Sequence, residues 1–218
     1  MQGAPSFFGT GHQWFHNWDA RLANAGTASD GGRLITIRHT NGYDSTFKES
    51  FPNSSWVPQN GNWRGQDRLF EKTTADGDDF DGFELRLSTG LTYRFVEYNF
   101  GSGTEYRLDE IVDSLQNVYE LQYANNRWQL LKILAPGGEH SFTINWGWRF
   151  GLRVITKVTA SDGRTVIYDY EELNAPEGGR YRALTQANYS DGTFGKYEYS
   201  WERFNFSRPV LSLSLIHI

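Results

Sequence analysis

The sequence contains no cysteine, which removes disulfide scaffolds, thiolate zinc clusters and thiol catalysis together. It has one methionine and only six prolines in 218 residues. No apolar run approaches the roughly 20 residues needed to cross a bilayer. The longest, Leu130-Leu131 and Ile133-Leu134-Ala135 around Lys132, fall far short. Positive charge is not in excess either: 21 basic against 26 acidic side chains leave a net charge of −5. That balance argues against a nucleic-acid partner, which would want a clustered basic surface. Met1-Gln2-Gly3-Ala4-Pro5 has neither a charged start nor an apolar segment, so no export signal is read in this chain.

What the sequence does hold is aromatic residues and glycine: 8 Trp, 12 Tyr, 15 Phe and 23 Gly. With abundant Thr this is the composition of short strands and tight turns, and it predicts an all-β fold.

The strongest pattern is an internal repeat. Four segments share one order: an Arg, an apolar residue, a polar turn and an aromatic-rich strand. The first runs from Arg107-Leu108 through Gln116-Asn117 to Leu121-Gln122-Tyr123. The second runs from Arg127-Trp128 through Pro136-Gly137-Gly138 to Ile144-Asn145-Trp146. The third runs from Arg153-Val154 through Ser161-Asp162-Gly163 to Tyr168-Asp169-Tyr170. The fourth runs from Arg182-Ala183 through Ser190-Asp191-Gly192 to Tyr197-Glu198-Tyr199. Counted to Asn117, Gly138, Gly163 and Gly192, the Arg-to-turn offsets are 10, 11, 10 and 10, and the closing aromatic follows after 6, 8, 7 and 7 residues.

Each unit reads as a β-hairpin. Asp-Gly supplies the positive φ that a tight turn demands, and alternation follows it: Val166, Tyr168 and Tyr170 on one face, then Tyr197, Tyr199 and Trp201. An isolated hairpin is barely stable in water, so successive hairpins are expected to pair edge to edge. In the first unit Ile111, Leu115, Val118 and Tyr119 also fit a helix stripe. Its matching offsets favour the hairpin.

The first half carries looser versions of the same pattern: Arg33-Leu34-Ile35-Thr36-Ile37 before Asn41-Gly42, and Phe83, Leu85 and Leu87 before Thr89-Gly90. Phe51 to Gly65 is a loop candidate. The expected organisation is an N-terminal β region over 1–103, four hairpin repeats over 104–206 and a tail over 207–218. Leu213 to Ile218 is what the codons CTG-TCT-CTT-ATA-CAC-ATC would read, a string resembling a transposase adapter from sequencing libraries. The tail is therefore read as foreign from about residue 213, with the natural chain cut near Pro209; the plainer reading is an edge strand in which Leu and Ser alternate.

Candidate sites are few. His12 and His16, beside Trp14 and Trp18, stand at metal-ligand spacing without a third ligand nearby, and packed aromatics explain them better. Asp76 to Gly82 resembles a calcium loop, but an EF-hand frame from Asp76 puts Phe80 and Leu87 where oxygen ligands belong. An acidic hairpin tip is the better account. Glu97, Glu110, Asp113 and Glu120 are carboxylates available for glycoside hydrolysis, although no local motif selects a pair. Neither a metal nor a cofactor is expected. Stacking aromatics suggest a carbohydrate-binding β-domain of a secreted or cell-surface protein as the rival to a structural role. Recurrence at one hairpin position favours sheet packing, and Arg107, Arg127, Arg153 and Arg182 are read as covering strand faces.

The repeats resemble the YD repeats of the Rhs family, a loose Arg-Leu … Asp-Gly … Tyr-x-Tyr pattern. Here it stands as Arg153-Val154 … Asp162-Gly163-Arg164 … Tyr168-Asp169-Tyr170 and Arg182 … Asp191-Gly192 … Tyr197-Glu198-Tyr199. Phe8-Gly9-Thr10-Gly11 … Trp14 … His16-Asn17-Trp18-Asp19 … Arg21-Leu22 is similar to the opening of an Rhs core, so the resemblance covers about Phe8 to Phe206. It implies consecutive hairpins forming part of a curled sheet or β-shell, incomplete at its C-terminal end. Such a shell encloses a C-terminal toxin polypeptide, is secreted or carried on a bacterial surface, and is itself non-catalytic. Its partners would be the rest of its own shell and the enclosed toxin, with glycan or cell-surface contact a further expectation. The family's Asp-Pro-x-Gly-Leu self-cleavage element does not occur here.

Overall fold

A computed structural model describes residues 18, 20–39, 44–50, 55–59, 67–73, 80–100, 103–125, 129–174, 176, 178–203 and 207–217. Every regular element among them is a strand, as the composition predicts. The chain divides into two compact units, one over His16–Gln122 with Leu134–Pro136, the other comprising Met1–Phe15, Tyr123–Ile133 and Gly137–Ile218.

The first unit contains β1 (Arg21–Thr27), β2 (Arg33–Arg38), β3 (Asp44–Ser50), β4 (Ser55–Pro58), β5 (Arg68–Thr73), β6 (Phe80–Arg86), β7 (Thr92–Phe100) and β8 (Gly103–Val112), then β9 from Val118. Each of β1 to β8 pairs antiparallel with the next, and β1 returns to pair with β8 at Arg21↔Arg107, Leu22↔Tyr106 and Ala23↔Glu105. Eight strands thus close into a barrel, a size whose interior side chains can fill. Alternation explains the filling: Ile35 and Ile37 on β2, Phe47 on β3, Phe83 and Leu85 on β6, and Phe95 on β7 are 0–4 % exposed. Two T-shaped ring pairs, Trp56 on Phe83 at 5.7 Å and Phe83 on Tyr106 at 4.8 Å, run through this core. At Gly82, φ is +121° and an added Cβ would lie 2.0 Å from the Phe95 carbonyl oxygen. Only glycine lets β6 and β7 approach there.

The strand β8 serves two ladders besides that with β7. Residues 105–107 pair with β1, and residues 110–112 pair with β9 (Val118–Tyr123). Between them Asp109 is bulged out, because Arg94↔Glu110 is followed by Phe95↔Leu108. Beside this fork Trp18 packs on Tyr119 at 6.1 Å, so Trp18 is a packed aromatic. His12, Trp14 and His16 lie outside the described residues.

The second unit contains all but the last residue of β10 (Leu130–Leu134), then β11 (Ser141–Arg149), β12 (Leu152–Ala160), β13 (Thr165–Asn174), β14 (Arg180–Tyr189), β15 (Phe194–Arg203) and β16 (Ser207–His217). These follow one another as antiparallel neighbours from β11 to β16. The residues that also fit a helix stripe, Ile111 to Tyr119, are β8, a tip and β9, with Leu115 80 % exposed at the tip. Residues 207–217 form the strand β16 along β15.

Candidate functional site

The repeated feature is the hairpin tip, and five tips share one geometry. In Ser161-Asp162-Gly163 the Gly163 N–H donates to the Ala160 carbonyl at 3.0 Å and the Ala160 N–H to the Arg164 carbonyl at 2.8 Å. Ser190-Asp191-Gly192 repeats this with Tyr189 and Thr193. So do Ser29-Asp30-Gly31, Ser88-Thr89-Gly90 and Ser114-Leu115-Gln116. This is a three-residue loop whose third residue is left-handed, φ being +90° at Gly163, +87° at Gly192 and +66° at Gln116. The Asp carboxylates cap these turns: Asp162 accepts from the Arg164 N–H at 3.0 Å and Asp191 from the Thr193 N–H at 2.9 Å. These bonds hold both carboxyls below the usual carboxylate range, for Asp162 chiefly the backbone bond from Arg164 and for Asp191 chiefly the hydroxyl of Thr193.

Sequence reasoning missed Ser29-Asp30-Gly31, although it is the same tripeptide as the two clearest turns. It also missed what the serines do. The Ser161 N–H donates to the Ser141 carbonyl at 2.9 Å, and its Oγ accepts from the Ser141 N–H at 3.2 Å. Ser190 makes the same two bonds to Thr165, at 2.9 and 3.1 Å. Each serine therefore acts as an extra rung that ties its tip to the preceding hairpin.

Past the tip the strands part. The β12–β13 and β14–β15 ladders hold three pairs each, whereas β11–β12, β13–β14 and β15–β16 hold eight, nine and ten. Parting strands release backbone carbonyls, and the closing aromatics satisfy them. The Tyr170 hydroxyl donates to the Ile155 carbonyl at 2.5 Å, and the Tyr199 hydroxyl to Leu184 at 2.5 Å. Trp146 Nε1 donates to Leu130 at 2.8 Å. All three aromatics sit at register shifts, between Asn145 and Trp146, Asp169 and Tyr170, and Glu198 and Tyr199. Opposite two of these shifts stand Thr156 and Thr185, whose hydroxyls donate to the Asn145 and Asp169 carbonyls, each at 3.3 Å. Each Thr lies three residues after its unit's Arg, a signal available in the sequence.

Tyr170 packs with Val154 and Leu184, against which Leu152, Tyr168 and Tyr197 lie. Burial pushes the Tyr168 phenol up to about 12 and Tyr170 further still, so both remain proton donors at any physiological pH. Of the other expected positions, Gly138 is left-handed at its tip and Tyr123 is half-buried at the end of β9. Arg153 lies 5.7 Å above the Trp148 ring, Arg182 reaches Glu172 at 3.6 Å, and Arg107 stands opposite Arg21. Arg127 lies outside the described residues.

Of the four candidate carboxylates, Glu110 and Asp113 are held by neighbouring side chains or backbone. Arg94 binds Glu110 at 2.8 Å and Glu84 at 3.3 Å, and Asp113 accepts from Leu115, Asn117 and the Asn117 amide within its own turn. Glu120 faces Glu110 across β8–β9, and Glu97 faces Tyr106. Inside the barrel Glu49, 5 % exposed, accepts two bonds from Arg33 at 2.7 and 2.9 Å, and this guanidinium lowers its carboxyl pKa. Residues 74–79 of the acidic tip lie outside the described residues, and Asp81 pairs with Lys72 at 2.7 Å. Among the described residues no group of three or more His, Asp or Glu side chains is placed to hold a metal ion, and no helix is long and apolar enough to cross a membrane.

No family model and no curated protein matches this chain. Its functional reading therefore rests on the repeated geometry itself.

Proposed function

We propose that this chain is wall material: a non-catalytic piece of an Rhs/YD-repeat shell, secreted or surface-borne in a bacterial setting, which encloses a C-terminal toxin polypeptide. The carrying observation is the repeated closure, in which a left-handed tip is followed by an aromatic whose polar hydrogen reaches a carbonyl 15 or 16 residues back. A device repeated at three successive hairpins can extend a sheet further, which is what a container needs and a local binding site does not. Its partners would be further hairpins of the same shell and the enclosed polypeptide. The genomic sequence read past the codon for Pro209 tests the reading. Further Arg … Asp-Gly … Tyr-x-Tyr units are expected; a stop codon within one unit's length would overturn it.

Trp148 favours the second reading, a carbohydrate-binding β-domain, because it is 64 % exposed beneath the Arg153 guanidinium. Titration with monosaccharides to millimolar concentration, followed by tryptophan fluorescence, tests that reading. A response lost in Trp148→Ala would support it, and no response would leave the wall reading standing alone.

A further inference from the structure

The turn that joins β11 to β12 is one that its sequence does not favour. Arg149 pairs with Leu152, so Phe150 and Gly151 alone make the bend. Both are left-handed, φ being +50° at Phe150 and +77° at Gly151. A two-residue hairpin turn with both φ values positive favours Asn-Gly, because a bulky side chain in the left-handed region strains the backbone. Burial does not offset that strain, since Phe150 is 45 % exposed. Two residues before it, Trp148 is 64 % exposed. Strain that packing does not explain is commonly kept where a side chain has to be presented. The hairpin that presents these rings is firm, with eight strand pairs and the Trp146 indole bound to the Leu130 carbonyl at its base.

The same tip carries two cations without counter-ions. Arginines in both units bind carboxylates, Arg33, Arg38, Arg94, Arg164 and Arg180 among them. Arg149 instead donates to the Trp148 carbonyl at 2.9 Å, and the Arg153 guanidinium lies 5.7 Å from the centre of the Trp148 ring. Neither has a carboxylate partner among the described residues, and no acidic side chain occurs from Trp146 to Arg153. In a chain of net charge −5 this tip is locally +2. The Ser-Asp-Gly tips are the reverse: their carboxylates are turned onto their own backbone.

We propose that the β11–β12 tip is a peripheral anchor for an anionic phospholipid surface, with Trp148 and Phe150 entering the interface and Arg149 and Arg153 meeting the lipid phosphates. Amphipathic and apolar rings settle at the headgroup boundary, and guanidinium groups bind phosphate oxygens through paired N–H donors. A saccharide would want carboxylate or amide groups for its hydroxyls, and the tip offers only guanidinium groups, one of which covers a face of the Trp148 ring.

Sedimentation of the full chain with vesicles tests the anchor, comparing phosphatidylcholine alone with phosphatidylcholine mixed with phosphatidylglycerol. Binding is expected to the anionic vesicles, weakening as salt is added. Arg149→Gln and Arg153→Gln should each weaken it about fivefold, the worth of one charge near such a surface. Phe150→Asn should weaken it about tenfold by removing the inserted ring. That variant should melt no lower than the parent, because Asn suits the left-handed position. A lower melting point would mean that Phe150 supports the fold and would overturn its role as a presented group. Equal sedimentation with both vesicle types, undiminished binding by Phe150→Asn, or displacement by soluble glycerol phosphate would overturn the anchor. Trp148-dependent binding of monosaccharide without binding of vesicles would assign the tip to carbohydrate instead.

Discussion

The two units solve the same problem, the unpaired strand edge, in different ways. In the barrel, β1 returns to β8, and the ring closes around inward-facing Leu22, Ile37, Phe47 and Phe83. In the hairpin unit the two Ser-Asp-Gly tips each lead into a ladder of three pairs that then opens, and Tyr170 or Tyr199 binds a carbonyl beyond it. Closure concentrates stability in one shared core, whereas repetition spreads it over similar local devices. The barrel should therefore respond to a single lesion as a whole, and the hairpins one at a time.

Phe83→Ala carries the largest expected effect. It removes a side chain that is 1 % exposed and holds both Trp56 and Tyr106, so chemical denaturation should show a loss of about 3–5 kcal/mol across every barrel strand. Tyr170→Phe keeps the ring and removes the hydroxyl, leaving the Ile155 carbonyl without that bond. A loss of about 1–3 kcal/mol is expected, with increased exchange confined to β12–β14. If Tyr170→Phe unfolded the whole unit at once, the picture of local devices would fail. Gly192→Ala forces a side chain into φ +87° where space is open, so a loss of about 1 kcal/mol should appear in thermal melting. The smallest effect is acid sensitivity of the barrel. His39, half-buried with its Nε2 2.5 Å from Ser45 Oγ, has its imidazole pKa lowered by burial, against the pull of Asp67 and Asp44. The unfolded chain binds that proton more readily, so barrel stability should decline as pH falls below 6.5, and His39→Gln should lessen the decline. Melting curves at pH 7.5 and 5.5 check it.

The hairpins were legible because their signals are local. Asp162-Gly163 and Asp191-Gly192 mark turns by backbone necessity, and Tyr168 with Tyr170 marks a face by alternation. One detail shifted: the left-handed residue of the first repeat is Gln116, one before Asn117, which places Tyr123 seven residues on, as Tyr170 and Tyr199 are from Gly163 and Gly192. The barrel closure was not legible, since Arg21 and Arg107 are 86 residues apart and nothing near either announces the other. The lateral bonds of Ser161 and Ser190 were hidden for a related reason: each joins a tip to a strand start 20 or 25 residues earlier.

Those serine rungs have a consequence for how the sheet tolerates change in length. They fix the phase of each hairpin at its Ser-Asp-Gly end, where one inserted residue would move the hydroxyl off its partner. At the opposite end β11 joins β12 through Phe150 and Gly151, while five residues, 175–179, separate β13 from β14. The sheet thus has one indexed margin and one slack margin. Insertions and deletions accumulating over time should collect along the slack one.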